Sequence, residues 1–230
     1  MRITHRFVII TAIFVTCLIT ANIIVIKPIN LGFSIMEIPV PLPAAIIIFP
    51  LSYIVGDILT EVYGYRMARR VIWLGFLCNL IAVIAIWLGQ ILPANPMWGG
   101  QEAYENTLGY IPRILLASFI AYLVGEFSNS FILAKMKIRA KGRRLWARTI
   151  GSTVIAQLLD AAVFIPLAYI GLFEPSFIVV ASIALWIAKV LYEIIATPFT
   201  YAIVNYLKKK EEIDTYDYET NFNPFSTDIG

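Results

Sequence analysis

The segment PAAIIIFPLSYIVGDILTEVYGYRMARR, residues 43–70, runs from an apolar stretch through two carboxylates into three arginines. Its apolar part has the length of a helix that crosses a bilayer, about 20 residues. Asp57 and Glu61 are four residues apart, so on a helix they share one face, a turn from each other. Carboxylates on a helix surrounded by hydrocarbon are costly and call for partners or a function.

The rest of the chain has the same character. Its 230 residues are 60% hydrophobic and 14% charged, with a mean hydropathy of +0.79. A soluble domain is roughly half apolar and a quarter charged. Polar surface is too scarce here to cover a water-soluble globule, and the chain reads as an all-α membrane protein whose partner is the lipid bilayer. The net charge of +3 does not indicate a nucleic-acid partner, because the basic residues are sorted by topology. Cys17 and Cys78 lie in apolar runs, where a thiol behaves as a small hydrophobe. His5 is the single histidine, which leaves no basis for His-based zinc or relay chemistry. No metal, cofactor or catalytic residue is expected, and no GxSxG, HExxH or paired-aspartate signature points to an enzyme.

Six stretches are long enough to span: Phe7–Ile26, Pro43–Tyr63, Val71–Leu92, Ile111–Ala134, Thr149–Ile170 and Phe177–Leu207. The first follows Arg2 and Arg6, but its apolar part exceeds a signal-peptide core and no small-x-small cleavage site follows it. Fifteen of the 18 lysines and arginines fall in four places: the N-terminal tail, the segment after span 2 (Arg66, Arg69, Arg70), the segment Lys135–Arg148 after span 4, and Lys208–Lys210. By the positive-inside rule this predicts six transmembrane helices with both termini cytoplasmic. Residues 1–207 then form one transmembrane domain. Residues 208–230 read as an acidic, disordered cytoplasmic tail. The loop 93–112, with Trp98, Tyr104 and Tyr110, reads as an interfacial aromatic belt or as a lid over an outward-facing site.

Asp57, Glu61, Glu126, Asp160, Glu193 and Lys189 remain within spans. Each costs at least about 2.5–3.5 kcal/mol at mid-bilayer, so they must face inward. A rise of about 1.5 Å per residue puts Glu126 and Asn129 of span 4, Gln157 and Asp160 of span 5, and Lys189 and Glu193 of span 6 at one level. That coincidence predicts a single polar chamber, with Asn79 of span 3 also central. Lys189 can pair with Asp160 or with Glu193, structurally or around a substrate. Asp57 lies in the inner half, as part of the chamber or of a gate. Glu61 lies near the cytoplasmic surface, where Arg66, Arg69 and Arg70 are close in sequence and an anchoring cluster is expected.

The runs FPLSYIVGDILTEVYGYRMARR (49–70), PRILLASFIAYLVGEFSNSFILAKMK (112–137), RTIGSTVIAQLLDAAVFIPLAYIG (148–171) and KVLYEIIATPFTY (189–201) together resemble the queuosine precursor transporter family, also called the vitamin uptake transporter family. The likeness covers almost the whole chain except the acidic tail. It implies a six-helix, multi-pass inner-membrane importer of a 7-deazaguanine, such as 7-cyano- or 7-aminomethyl-7-deazaguanine or queuine, without a dedicated ATPase. The polar positions that the resemblance carries over are Asn22, Asp57, Arg113, Ser118, Glu126, Asn129, Gln157, Asp160 and Lys189.

The chemistry of these residues suits such a substrate. A guanine-like edge presents two adjacent donors, which one carboxylate, Glu126 or Asp160, can accept. Gln157, Asn129 or Lys189 can donate to the carbonyl oxygen, and Tyr122, Phe127, Phe164 or Tyr192 can stack on the ring. The rival reading is the substrate-binding subunit of an energy-coupling-factor vitamin importer, since Ala12, Thr16 and Thr20 make a small-residue face that a partner helix can dock on. A homodimer is left open.

Overall fold

The computed structural model describes residues 4–25, 27–35, 38–108, 112–171 and 174–226. Among these residues seven α-helices follow one another: α1 (His5–Ile24), α2 (Phe49–Tyr63), α3 (Tyr65–Ile91), the short α4 (Gln101–Thr107), α5 (Pro112–Arg139), α6 (Leu145–Tyr169) and α7 (Pro175–Glu211). Of these, α1, α3, α5, α6 and α7 are long and apolar enough to cross a membrane. The departure from an all-α chain is an antiparallel pair, β1 (Pro28–Ile35) and β2 (Ile38–Pro43), joined to α2 by a 3₁₀ turn over Ala44–Ile47. Prolines at 28, 39, 41 and 43 lack the backbone donor that a further strand needs, which keeps this a two-stranded element.

Span 2 differs from its expected length. As an α-helix α2 has 15 residues, about 22 Å long, short of the ~30 Å hydrocarbon core. It is also the most enclosed helix, with 13 of those residues buried. A helix enclosed by its neighbours meets protein rather than lipid, so it need not match the bilayer thickness. Its buried face joins α1, α3, α5 and α7 around Phe14, Leu18, Leu59, Val62 and Ile72.

The helices also run further than the apolar stretches. Arg66, Arg69 and Arg70, expected in a loop, lie in the first turns of α3, and Lys135, Lys137 and Arg139 lie in the last turns of α5. Only Gly64 separates α2 from α3. It takes φ +84°, a left-handed value that a side chain resists, and a Cβ there would sit 2.7 Å from Thr215 Cγ2. The bundle therefore has a basic end, carrying these residues with His5 and Lys208–Lys210, and a hairpin end carrying β1 and β2.

The tail differs from the disordered segment expected from residue 208. Residues 208–211 continue α7, and 213–226, without regular secondary structure, lie against the basic end. The Thr215 amide donates to the Val62 carbonyl at 3.2 Å. Both oxygens of Asp217, which is 2% exposed, accept from the Tyr65 amide at 3.0 and 3.1 Å, placing an anion at the N-terminus of α3. Arg69 donates to the Asn221 and Asn223 carbonyls, and Trp73 to the Pro224 carbonyl. Phe222 packs on Tyr65 and Phe131. Anchors spaced every few residues hold an acidic segment that periodicity alone could not place.

Gly64→Ala meets both a backbone conformation open essentially to glycine alone (φ +84°, ψ 166°), costing about 1–3 kcal/mol, and the Thr215 methyl. The detergent-solubilised variant is expected to melt at a lower temperature than the parent. Adding Thr215→Gly should recover only the part due to the collision.

Candidate functional site

An ion pair between the Lys189 ammonium of α7 and the Asp160 carboxylate of α6 sits inside the bundle, with side-chain exposures of 6% and 4%. The other Asp160 oxygen accepts from the Tyr53 hydroxyl at 3.2 Å. The ammonium lies over two rings of α2, 4.8 Å from the centroid of Phe49 and 5.4 Å from that of Tyr53. These cation–π distances are within the attractive range of about 6 Å. One cation thus ties α7 to α6 and α2.

Lys189 and Asp160 face a cavity lined mainly by apolar side chains, among them Val25, Pro43, Phe49, Ala121, Phe164 and Leu185, with Ser118 adding a hydroxyl. It comprises about 410 Å³ of empty space, much of it shared with the open surroundings. Its clear space is of water size rather than ligand size, so a two-ring ligand has to displace side chains. It lies toward the hairpin end, where α1 finishes and α2 begins. Among the described residues of the 93–112 loop none lines it: α4 instead folds back on α3, with the Tyr104 hydroxyl donating to the Ile86 carbonyl. Tyr110 lies outside the described residues.

The polar residues expected in one chamber separate into three levels. Asp160 and Lys189 line the cavity. Asn22, with Ser118, forms a local pair: Ser118 donates to the Asn22 carboxamide oxygen at 2.7 Å, and Asn22 to the Leu18 carbonyl at 3.0 Å. Behind the ion pair lie Glu126 and Gln157, neither with any exposed surface. Neither Glu126 oxygen finds a hydrogen-bond partner among the described residues. Gln157 approaches the Tyr53 hydroxyl without reaching hydrogen-bond geometry. Glu126 packs against the backbone of α2, where a Cβ on Gly56 would meet its Oε2 at 3.0 Å. Deeper still, Asn129 donates to Asp57 at 2.5 Å, and Glu193 is close enough for its charge to act on Asp57. Arg113 belongs to α5, but its side chain lies outside those described.

Lys189 therefore pairs with Asp160 and not with Glu193. Of the four aromatics expected to stack, Phe164 reaches the cavity. Tyr122 donates to the Ile72 carbonyl, and Phe127 packs on Trp73. Tyr192 joins the main core. Sequence reading missed Phe49 and Tyr53. Four residues apart at the start of a short helix, they read there as ordinary apolar filling.

Glu61 is corrected in its partners. Its carboxylate is forked by Arg148 of α6 and accepts from Lys208 at 2.6 Å. Lys137 lies 3.6 Å from it and donates to its backbone carbonyl at 2.5 Å. Arg69 serves the tail instead, and Arg70 is exposed, touching Met67. Several cations around one carboxylate, with Asp214 bound to Lys137 at 2.5 Å and Lys208 at 2.9 Å, make a closed network across α2, α5, α6, α7 and the tail. Breaking a buried network of this kind strands charges, at about 3–5 kcal/mol.

Long apolar helices around a buried ion pair that faces a small cavity define a multi-pass membrane protein with an interior polar site. A family model described as "Putative vitamin uptake transporter" matches residues 43–203, and the chain belongs to that family. A "Probable queuosine precursor transporter" of Bacillus subtilis (strain 168) is 30% identical over 149 residues, 64% of each chain. The "Queuosine precursor transporter" of Escherichia coli (strain K12) is 25% identical over 53% of this chain and 52% of that relative. A "Probable queuosine precursor transporter" of Haemophilus influenzae is 23% identical over 55% of this chain and 52% of its own. The chain thus spans between half and two thirds of the length of these curated relatives. They and the family are transporters, not enzymes. No solved structure matches.

Burial acts against ionisation of Asp214, but hydrogen bonds from Lys137 and Lys208 outweigh it and hold its carboxyl below the ordinary range. A carboxylate lowered in this way contributes stability above its unfolded pKa, about 3.9, and loses it as pH falls through the folded value. Trp73 lies against Phe225 and Pro224, so its emission reports tail docking. In a chain keeping Trp73 alone among the tryptophans, emission should stay constant down to about pH 4 and shift to the red below it. Asp214→Asn should remove much of that pH dependence by weakening docking at neutral pH.

Proposed function

We propose that this chain imports a queuosine precursor, a 7-deazaguanine or queuine, across the cytoplasmic membrane as a secondary transporter. The observation that carries the reading is the Lys189–Asp160 pair at the cavity, backed by the unpartnered carboxyl of Glu126 and carboxamide of Gln157. A buried carboxyl without a partner forfeits hydrogen bonds that water would supply. A ligand with two adjacent N–H donors restores them, and the guanine edge has that pattern. Asp160 or Glu126 accepts from N1–H and the exocyclic amine, while Gln157 or Lys189 donates to O6. Asn129 and Asp57 extend the polar path inward from there, with Arg113 and Asn22 belonging to the approach from the other side. The names of the relatives support the substrate class.

In this reading the chain crosses the inner membrane six times, α2 with its preceding 3₁₀ turn forming the sixth span, and the basic end faces the cytoplasm. The cavity then opens outward. The network of Glu61, Arg148, Lys137 and Lys208, with Arg69 and the tail beside it, closes the inner side as a gate, while Glu193 and Asp57 lie between cavity and gate. Arg70, exposed at this end, adds to the positive cytoplasmic surface.

The energy-coupling-factor subunit stays as the second reading because Ala12 and Thr16 of α1 are exposed and Thr20 half-buried, leaving that small-residue face open. Uptake by the purified chain alone in liposomes separates the two.

In cells that cannot make 7-deazaguanines, uptake of labelled 7-cyano-7-deazaguanine should fall at least about tenfold in Asp160→Asn, Lys189→Ala and Glu126→Ala at equal membrane levels. Tenfold corresponds to about 1.4 kcal/mol, the order of one charge-assisted hydrogen bond. Normal transport by all three would end the assignment of this site.

A further inference from the structure

The resting cavity has no room for a flat ligand, yet one large planar surface at its wall is occupied by something removable. Phe49 is half-buried, lines the cavity, and has the Lys189 ammonium over its ring at 4.8 Å. A cation and a planar heterocycle bind the same aromatic face, one through the ring quadrupole and the other by stacking. They compete for it. We propose, on the reading given above, that Phe49 is the stacking platform of the transported ring and that the ligand takes the place Lys189 occupies in the empty site. Lys189 has a flexible four-carbon stem and can withdraw. Asp160 keeps its place meanwhile, because the Tyr53 hydroxyl holds its second oxygen. Tyr53 is thus a positioning residue, and Phe49 the residue that selects planar ligands.

The test is concentration-dependent uptake of 7-cyano-7-deazaguanine by the reconstituted chain. Phe49→Leu should raise the apparent KM about tenfold, the scale of one lost base–aromatic stack, with the rate at saturation within about twofold. Phe49→Tyr and Phe49→Trp should stay close to the parent, which shows that a flat face and not mere bulk is required. Unchanged KM in Phe49→Leu overturns the platform, and so does an equal loss in all three variants. If Asp160→Asn abolishes uptake while Phe49→Leu is normal, the transport reading stands and the platform falls. No uptake by the parent ends both.

The tail carries a second feature on independent observations. It lies outside the matched region 43–203, yet bonds to Val62 at the end of α2, Tyr65, Arg69 and Trp73 of α3, Lys137 of α5 and Lys208 of α7. Lys135 of α5 also lies over Phe222, 4.0 Å from its centroid. A bundle cannot open at this end while one segment bridges four of its helices. We infer that residues 213–226 are a strap that holds the basic end shut and must detach in each cycle. Releasing it shifts the equilibrium toward the state open at that end.

Two variants probe this in the otherwise intact protein: a chain ending at Glu212, and Asp217→Ala, which removes the cap on α3. Both should speed hydrogen exchange at residues 62–70 and raise the saturated uptake rate, by about threefold if strap release limits the cycle. Unchanged or lower uptake in Asp217→Ala, with the chain in the membrane at parental level, overturns the strap. So does unchanged exchange at 62–70 in the truncated chain.

Discussion

An ammonium enclosed by apolar helices persists only beside a carboxylate that cancels its charge and groups that accept its protons. Lys189 meets that requirement with Asp160 and the faces of Phe49 and Tyr53. The pairing fixes how α7, α6 and α2 sit against one another, because the three elements must arrive at one point. The cavity is the space left on the hairpin side of that point. Every polar residue behind it is then sealed from the opening unless the pair rearranges.

The same requirement is met differently at the basic end. There Glu61 holds three cations from three other stretches of chain, and Asp214 shares two of them. The arrangement is over-connected, whereas the level of Glu126 and Gln157 is under-connected, with buried polar atoms lacking partners. An over-connected network suits an element that stays in place between events. An under-connected one suits a surface that waits for something else to bind. The division of charge between the two levels is the physical basis for assigning the first to closure and the second to ligand.

The order of the tail follows from the same economy of charge. An acidic segment without periodicity carries no helix or strand signal of its own, and its composition alone argues for disorder. Here it meets a surface rich in arginine and lysine, and its backbone carbonyls accept from Arg69 and Trp73 while Asp217 caps α3. What orders it is the surface it lands on.

Hydropathy, charge sorting and one-turn spacings are properties of neighbouring residues, and they were readable directly. They placed the long apolar helices and the basic end, but not the separation of Glu126 from the level of Asp160 and Lys189. Which cation meets which carboxylate depends on the rotation and depth of helices far apart in sequence, so Lys189 with Asp160 and Glu61 with Arg148, Lys137 and Lys208 came only with tertiary packing. The shortness of α2 had the same origin, since a helix wrapped by others is freed from the bilayer's length rule. Phe49 and Tyr53 were invisible as site residues for that reason: an aromatic ring on an apolar helix looks the same in one dimension whether it faces lipid, a core or a lysine.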